Sequence, residues 1–261
     1  MPFAIPEHAV RFGFVTTPTS AHSGKTMLLP ELSLLMGAAA ISADYSTFRE
    51  LVIEENVTLK ATSANRKGIF KTLATLYGLR EDLLLFRALN VLWADAGVER
   101  PLLTILLASA RDSALRCSSE VILAKQDGEL VSTDEIETVV VKAFGDRYTL
   151  KTRRSMAEHL NGSWTQSGHL TGGTIKRRTR AVSGPASVTY ALLLGYLCGA
   201  RGVMLYQTSW ARLLDLAMEQ IDAQAFAAAQ RGWLSYRRIG DVAEISFPLL
   251  LAGVREGEFT K

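Results

Sequence analysis

The segment STDEIETVVVKAFGDRYTLKTRRSMAEHLNGSWTQSGHLTGGTIKRRTR, residues 132–180, decides the fold. It opens with Ser132 and Glu135 at the spacing of a capping box, in which hydroxyl and carboxylate satisfy free amides at a helix start. Apolar residues then recur at helical spacing as far as Phe144, and Gly145 is a typical helix stop. The segment therefore predicts a helix between Ser132 and Gly145, followed by a short turn.

A second helix is expected from about residue 150 to residue 167, where Thr149 can cap its start and Gly168 can close it. Helical geometry places three sets of side chains on three separate faces. The inward face carries Met156 or Ala157, Leu160 and Trp164; one outer face carries Lys151, Arg154 and Glu158; the other carries Thr152, Ser155 and His159.

The rest of the segment predicts a basic β-hairpin from His169 to Val182 around the turn at residues 171–174. Helix, tight turn, second helix and basic hairpin are the plan of a winged helix-turn-helix. Between Arg147 and Arg180 the only carboxylate belongs to Glu158. Because a duplex carries dense negative charge, such a basic surface favours nucleic-acid binding, although a surface helix with a solvated basic loop remains the alternative. The basic candidates in this unit are Arg147, Lys151, Arg153, Arg154, Lys176, Arg177 and Arg178.

A second helix-turn-helix candidate lies nearer the start of the chain, and by itself it fits a core helix bundle as well as a DNA-binding unit. Thr47 and Glu50 repeat the capping-box spacing, residues 56–60 make a turn, and Thr62 or Ser63 caps a helix that Gly78 ends. Glu54 and Glu55 weaken its basic character, so we expect the second unit to carry more of the affinity for duplex DNA. The comparison that tests this is Arg153→Ala with Arg154→Ala against Arg66→Ala with Lys67→Ala. The outward basic residues of the first unit are Arg66, Lys67 and Lys71.

The N-terminal stretch invites a phosphate-loop interpretation, because a possible strand over residues 10–16 precedes Ser23, Gly24, Lys25 and Thr26. The motif's first glycine should stand at position 19, where the chain has threonine, and Pro18 removes an amide donor. The preferred interpretation is that Lys25 and Thr26 begin a helix that runs to about residue 40.

The remaining segments predict further helices and a closing hairpin. Pro101 suits a first-turn position and Gly97 the preceding helix end. The sequence therefore predicts an all-α fold, a helical globule with two helix-turn-helix units and short winged hairpins. The expected helices cover residues 83–96, 101–124, 188–198, 209–218 and 223–231 (the last capped by Asp222), and the hairpin covers residues 233–247 about Gly240 and Asp241.

Bulk composition is that of a globular protein with a sizeable core. The chain has 261 residues, 48% of them hydrophobic, and a net charge of +3, so its basicity is local. Two isolated cysteines, no signal-peptide pattern and apolar runs shorter than about 20 residues predict a soluble cytoplasmic protein without membrane contact. We expect an N-terminal extension over residues 1–25, a helical domain over 26–125 and a second region over 126–261.

Three stretches resemble the BrxA family, a component of BREX bacteriophage-exclusion systems in bacteria. They are FRELVIEENVTLKATSANRKGIFKTLATLYG at residues 48–78, TRRSMAEHLNGSWTQSGHL at 152–170 and AQRGWLSYRRIGDVAEISF at 229–247. The resemblance spans most of the chain after residue 25 and rests on helical patterns rather than on catalytic signatures. The first 25 residues lack a counterpart, and the chain is longer than typical members.

The resemblance implies an all-helical, non-enzymatic protein that binds double-stranded DNA through two helix-turn-helix units. Its contacts carry over to Arg66, Lys67 and Lys71, and to Lys151, Arg153 and Arg154. The residues themselves also argue against an enzyme, because the four histidines are scattered and both cysteines lie in apolar segments. No cofactor, metal or small-molecule substrate is expected. Partners would be duplex DNA and other BREX proteins; the alternatives are a structural adaptor for defence proteins or an RNA-binding protein.

Overall fold

The computed structural model describes residues 3–18, 20–40, 42–240 and 242–254 and is mainly helical, which confirms the predicted fold class. The five strands are short and pair only antiparallel: β1 (Leu130–Val131), β2 (Leu170–Thr171), β3 (Lys176–Arg178), β4 (Ser235–Ile239) and β5 (Val242–Ser246). The helices are α1 (Leu29–Ala38), α2 (Tyr45–Ile53), α3 (Ser63–Tyr77), α4 (Leu84–Ala96), α5 (Arg100–Arg111), α6 (Ser113–Ala124), α7 (Thr133–Phe144), α8 (Leu150–Gln166), α9 (Pro185–Leu197), α10 (Ser209–Arg212) and α11 (Met218–Gln230).

The core is built around α5 and α9, whose side chains are buried on almost every side. α9 packs against α4, α5, α10 and α11, which explains why its sequence is apolar on nearly every side. Its start is held by the buried Glu99, whose carboxylate accepts from the Ser187 amide at 2.8 Å. No helix in the described part of the chain is both long enough and apolar enough to span a bilayer.

The second predicted unit is a winged helix-turn-helix in its connectivity, α6–β1–α7–α8–β2–β3. β3 lies between β1 and β2, and both pairings are antiparallel. The capping box at Ser132 and Glu135 is present, and Thr149 caps α8 by accepting from the Thr152 amide. Gly145 ends α7 with a positive φ, which glycine adopts without strain.

The first predicted unit is formed by α2 and α3, which pack against each other. Thr62 caps α3 and Gly78 ends it, as expected. The predicted capping box at Thr47 and Glu50 is wrong, because α2 begins at Tyr45 with Asp44 as its cap. Hydrogen bonds from the Thr47 amide and hydroxyl, and from Ser46, lower the pKa of Asp44 to about 2.

The N-terminal predictions are corrected in two places. Residues 10–16 do not form a strand; a 3-10 helix occupies Glu7–Phe12 and ends at Gly13. Lys25 and Thr26 do not begin a helix either, because Leu28 adopts a left-handed φ of 57° and α1 starts after it. Since all strand pairs among the described residues are antiparallel, the parallel sheet that a phosphate loop requires is excluded.

Three later helix boundaries also differ from the expectation. The helix predicted over residues 101–124 is broken at Asp112, whose side chain caps α6 through the Leu115 amide. α10 is a single turn, and α11 begins at Met218, so Asp222 lies inside it instead of capping it. Asp222 accepts from the hydroxyls of Tyr206 and Tyr236, each at 2.8 Å. The closing hairpin β4–β5 is present, and Asp241 of its predicted turn lies outside the described residues.

Candidate nucleic-acid interface

The inward face of α8 fixes its orientation in the second unit. Met156, Ala157, Leu160 and Trp164 are fully buried, as predicted from their spacing. The Trp164 Nε1 donates to Ser118 Oγ on α6 at 2.8 Å, which satisfies the indole in the core. As a result, the opposite side of the first two turns of α8 faces solvent, with Lys151 and Arg154 exposed.

Arg154 is surrounded by carboxylates that the local sequence does not reveal. Its guanidinium pairs with Asp134 and with Glu137 at 3.3 Å, both on α7, and lies 3.8 Å from Glu158 on its own helix. The Asp134 and Glu137 contacts raise the pKa of Arg154. The charge count along residues 147–180 therefore understates the acidic groups beside α8. Lys151, in contrast, has neither a hydrogen bond nor an ion pair within the described residues.

Arg147 and Arg153 lie beside the turn that precedes α8. The Arg153 side chain is only 11% exposed and donates to Asp146 Oδ1 at 2.8 Å. Its buried Nε has no hydrogen-bond partner among the described residues. Arg153, a predicted DNA contact, is therefore largely withdrawn from the surface, because its stem packs into the unit. The exposed Arg147 donates to the Pro18 carbonyl, which joins this turn to the N-terminal segment.

The hairpin β2–β3, which is the wing of this unit, presents two of its three candidate cations to solvent. Lys176 Nζ donates to the Gly172 carbonyl at 2.8 Å, and Arg177 donates to the Gly128 carbonyl at 2.9 Å. Carbonyl groups orient these side chains without neutralising them. Arg178 is different: it is 5% exposed and paired with Asp215. The prediction that Arg178 belongs to an exposed basic surface is wrong, because its guanidinium is buried and pairs with Asp215 inside the protein.

The first unit exposes a smaller basic surface. Lys67 and Lys71 are exposed on α3 and make no ion pair with any described residue. Arg66 is half-buried and donates to the Glu54 carbonyl at 3.5 Å, while its buried Nε has no partner in the described ranges. Lys67 and Lys71 thus supply the accessible charge of α3.

The N-terminal segment, residues 20–29, lies along the hydroxyl-rich face of α8. His159 Nδ1 bonds the His22 carbonyl at 2.9 Å, and Gln166 Nε2 donates to Thr26 Oγ1 at 3.2 Å. The Leu29 amide donates back to Gln166 Oε1 at 3.3 Å. The predicted outer face of Thr152, Ser155 and His159 is therefore covered by the N-terminal segment at His159.

The same segment brings together a buried Asp, His and Ser. His22 Nδ1 lies 3.1 Å from Asp112 Oδ2, and its Nε2 lies 2.9 Å from Ser163 Oγ. All three are at most 1% exposed, and Ser163 also accepts from the Met27 amide at 2.9 Å. No substrate can reach this hydroxyl in the described conformation. The cluster therefore acts as an internal fastening, that is, a set of buried hydrogen bonds that holds the N-terminal segment to α8. Sequence reasoning missed it because His22 is 141 positions from Ser163.

Comparisons with known proteins identify no family for this chain, so the assignment of a function rests on the geometry of the site. A scan against models of known protein families finds no match, and a search of curated proteins finds none at a significant level. Within the described residues, no three His, Cys, Asp or Glu side chains come close enough together to hold a metal ion.

Proposed function

We propose that this protein binds double-stranded DNA through the winged helix-turn-helix formed by α6–α8 and the wing, and that it is not an enzyme. The observation that carries the proposal is the start of α8, where Lys151 and Arg154 are exposed, in a unit whose β2–β3 wing carries the exposed Arg177 and the partly exposed Lys176. In proteins of this plan the second helix enters the major groove while flanking cations bind backbone phosphates.

The carboxylates around Arg154 are compatible with this proposal. Both Arg154 and Asp134 are largely exposed, and exposed ion pairs contribute little net stability because water and salt compete for them. A phosphate oxygen can replace Asp134 as the acceptor, and the displaced carboxylate remains hydrated. The pairs also hold the guanidinium in place before DNA arrives, which lowers the entropic cost of binding.

The experiment that tests the proposal is a salt titration of binding by the full chain to duplex DNA, single-stranded DNA and RNA. We expect the logarithm of the duplex association constant to fall linearly with the logarithm of salt concentration, by about 0.9 per phosphate contact. A flat salt response favours the structural adaptor instead. Tighter binding to RNA than to duplex DNA favours the RNA-binding alternative.

We further propose, on the resemblance of residues 48–78, 152–170 and 229–247 to the BrxA family, that this binding serves BREX phage defence in the bacterial cytoplasm. Support comes from the two helix-turn-helix units, which stand at the first two of these stretches. The test is deletion of the gene from a bacterium that carries a BREX system. Loss of resistance to phage, restored by the wild-type chain, is the expected result, and unchanged resistance contradicts the proposal.

A further inference from the structure

A groove of about 590 Å³ lies at the C-terminal end of α3, opposite the end that Thr62 caps. Three of its lining residues are cationic, namely Lys71, Arg80 and Arg111, and none of the described lining residues is acidic. Tyr45 and the backbone around Gly78 complete the wall. The groove is therefore a concave site in which the charged side chains among the described lining residues are all cationic, set beside the apolar Ala74 and Leu83.

Arg111 is the fixed element of this groove. Its Nε donates to the Thr75 carbonyl at 3.1 Å, and its Nη1 donates to the Gly13 carbonyl at 2.6 Å. No carboxylate pairs with it among the described residues, although burial lowers the pKa of Arg111. A guanidinium stays protonated at neutral pH, so a largely buried positive charge is held rigidly without a counterion.

The backbone leaves room beside this guanidinium. Gly78 has a φ of +81°, and a Cβ atom there would lie 3.6 Å from the Arg111 Cζ. The closer neighbour of that Cβ would be Leu83 Cδ1 at 2.6 Å, so glycine at this point both ends α3 and fits against Leu83, while the contact with the guanidinium would be an ordinary one. Arg111 Nη2, which makes no hydrogen bond within the described residues, remains available to a ligand.

The other two cations differ in how freely they can respond. Lys71 lies one turn before Thr75 on α3, is exposed, and has no ion pair within the described ranges. Arg80 is engaged with Asp82, its Nε donating to Oδ1 at 2.9 Å. One rigid guanidinium, one mobile ammonium and one paired guanidinium around a concavity match the demands of a multivalent oxyanion.

We propose that this groove binds a phosphate group, with Arg111 as the fixed donor and Lys71 as the mobile one. The phosphate belongs either to a nucleic-acid backbone or to a free phosphorylated compound, since both present the same oxygens. The volume accommodates more than a single phosphate, so a nucleotide or a diphosphate fits. This assignment does not depend on the winged helix-turn-helix, which contributes no residue to the groove.

The test is a calorimetric titration of the full chain with inorganic pyrophosphate at constant ionic strength. We expect saturable binding by the wild type and a rise in Kd of about tenfold or more in Lys71→Glu, because the substitution removes a charge-assisted hydrogen bond and adds a repulsion. Arg237→Glu makes the same change of charge on the exposed β4 and should leave the Kd unchanged. Arg111→Lys keeps the charge but loses the planar fork, and should also weaken binding.

The test remains decisive even if Arg111→Lys fails to fold. Lys71 is exposed, so Lys71→Glu should fold, and its Kd for pyrophosphate is sufficient to test the proposal. Equal pyrophosphate affinity in wild type and Lys71→Glu, or no saturable binding, overturns the proposal. Displacement of bound duplex by pyrophosphate at fixed ionic strength identifies a backbone phosphate as the source. Undisturbed duplex binding at saturating pyrophosphate identifies a free phosphorylated compound. A chain that binds pyrophosphate but no nucleic acid retains this inference and loses the proposed function.

Discussion

His169 lies fully buried between the end of α8 and the α10 turn. Its Nε2 donates to the Leu213 carbonyl at 2.9 Å, and its Nδ1 lies 2.8 Å from Ser167 Oγ. Burial lowers the pKa of His169 to about 4, against the opposing influence of Asp215 at 3.9 Å. Arg178, the other charged neighbour, pushes the pKa in the same direction as burial.

This shift predicts a pH-dependent stability. The unfolded histidine takes up a proton below about pH 6.5 while the folded one resists until about pH 4, so stability falls as the pH is lowered through that window. The full loss is on the order of 3 kcal/mol. Urea unfolding at several pH values should show this slope, and His169→Gln should flatten it between pH 6.5 and 5, above the range where carboxylates titrate. Identical slopes in the two proteins contradict the assignment.

Asp112 provides the second prediction at this scale. Burial alone would raise the pKa of Asp112, but His22 and the amides of Leu115 and Ala21 hold it below its usual value. Asp112→Ala removes the carboxylate that accepts these hydrogen bonds and leaves the buried Nδ1 of His22 without its partner. We expect the free energy of unfolding to fall by about 3–5 kcal/mol, measured by urea denaturation. A loss below about 1 kcal/mol, the range of an exposed pair, would contradict the fastening role.

At the scale of the element, α8 and α3 can be compared directly as DNA contacts. Lys151→Ala with Arg154→Ala should weaken duplex binding more than Lys67→Ala with Lys71→Ala, because only α8 has a wing to hold the duplex against it. Removal of each cation that binds a phosphate should shallow the salt slope by about 0.9. Gel-shift titrations of both double variants give the ranking, with Arg237→Ala as the control outside both units. If the α3 double variant binds duplex DNA more weakly than the α8 double variant, the α7 carboxylates neutralise the α8 cations in the complex.

The double variants that the sequence suggests, Arg153 with Arg154 and Arg66 with Lys67, still test the ranking of the two units but mix two effects. Arg153 is largely buried, so its replacement removes packing as well as charge. Arg66 is half-buried, and the same applies to it. Circular-dichroism melts of both variants must therefore accompany the binding curves before a change in affinity is assigned to a missing phosphate interaction.

Local chemistry made the elements themselves predictable. Ser132, Thr149 and Thr62 cap their helices through the amides three residues ahead, and such spacings can be read from sequence. Long-range contacts could not be read in this way. Asp112, which breaks the helix predicted over residues 101–124, is bound by His22 from the N-terminal segment, and Asp134 reaches Arg154 across the α7–α8 pair. Both depend on residues 20 to 90 positions away.

At the scale of the whole molecule, hydrogen bonds cross both of the predicted divisions of the chain. His22 to Ser163 crosses the boundary at residue 25, and Trp164 to Ser118 crosses the one at residue 125. The three-part division remains a prediction. Removal of residues 1–28 should both lower the melting temperature sharply and weaken duplex binding, because α8 loses the segment that packs along one of its faces. A truncated chain with unchanged melting and binding would show that the segment is dispensable.

The fastening of the N-terminal segment to α8 also sets an order of events during synthesis. His22 leaves the ribosome 141 residues before Ser163 does. At roughly 5–20 residues per second, the segment waits on the order of ten seconds for its partner helix. Throughout that interval the apolar side chains in this segment and before it, among them Phe12, Phe14 and Met27, cannot complete their native packing. This segment is thus synthesised well before its packing can be completed. Its apolar side chains are most available to a chaperone during that interval.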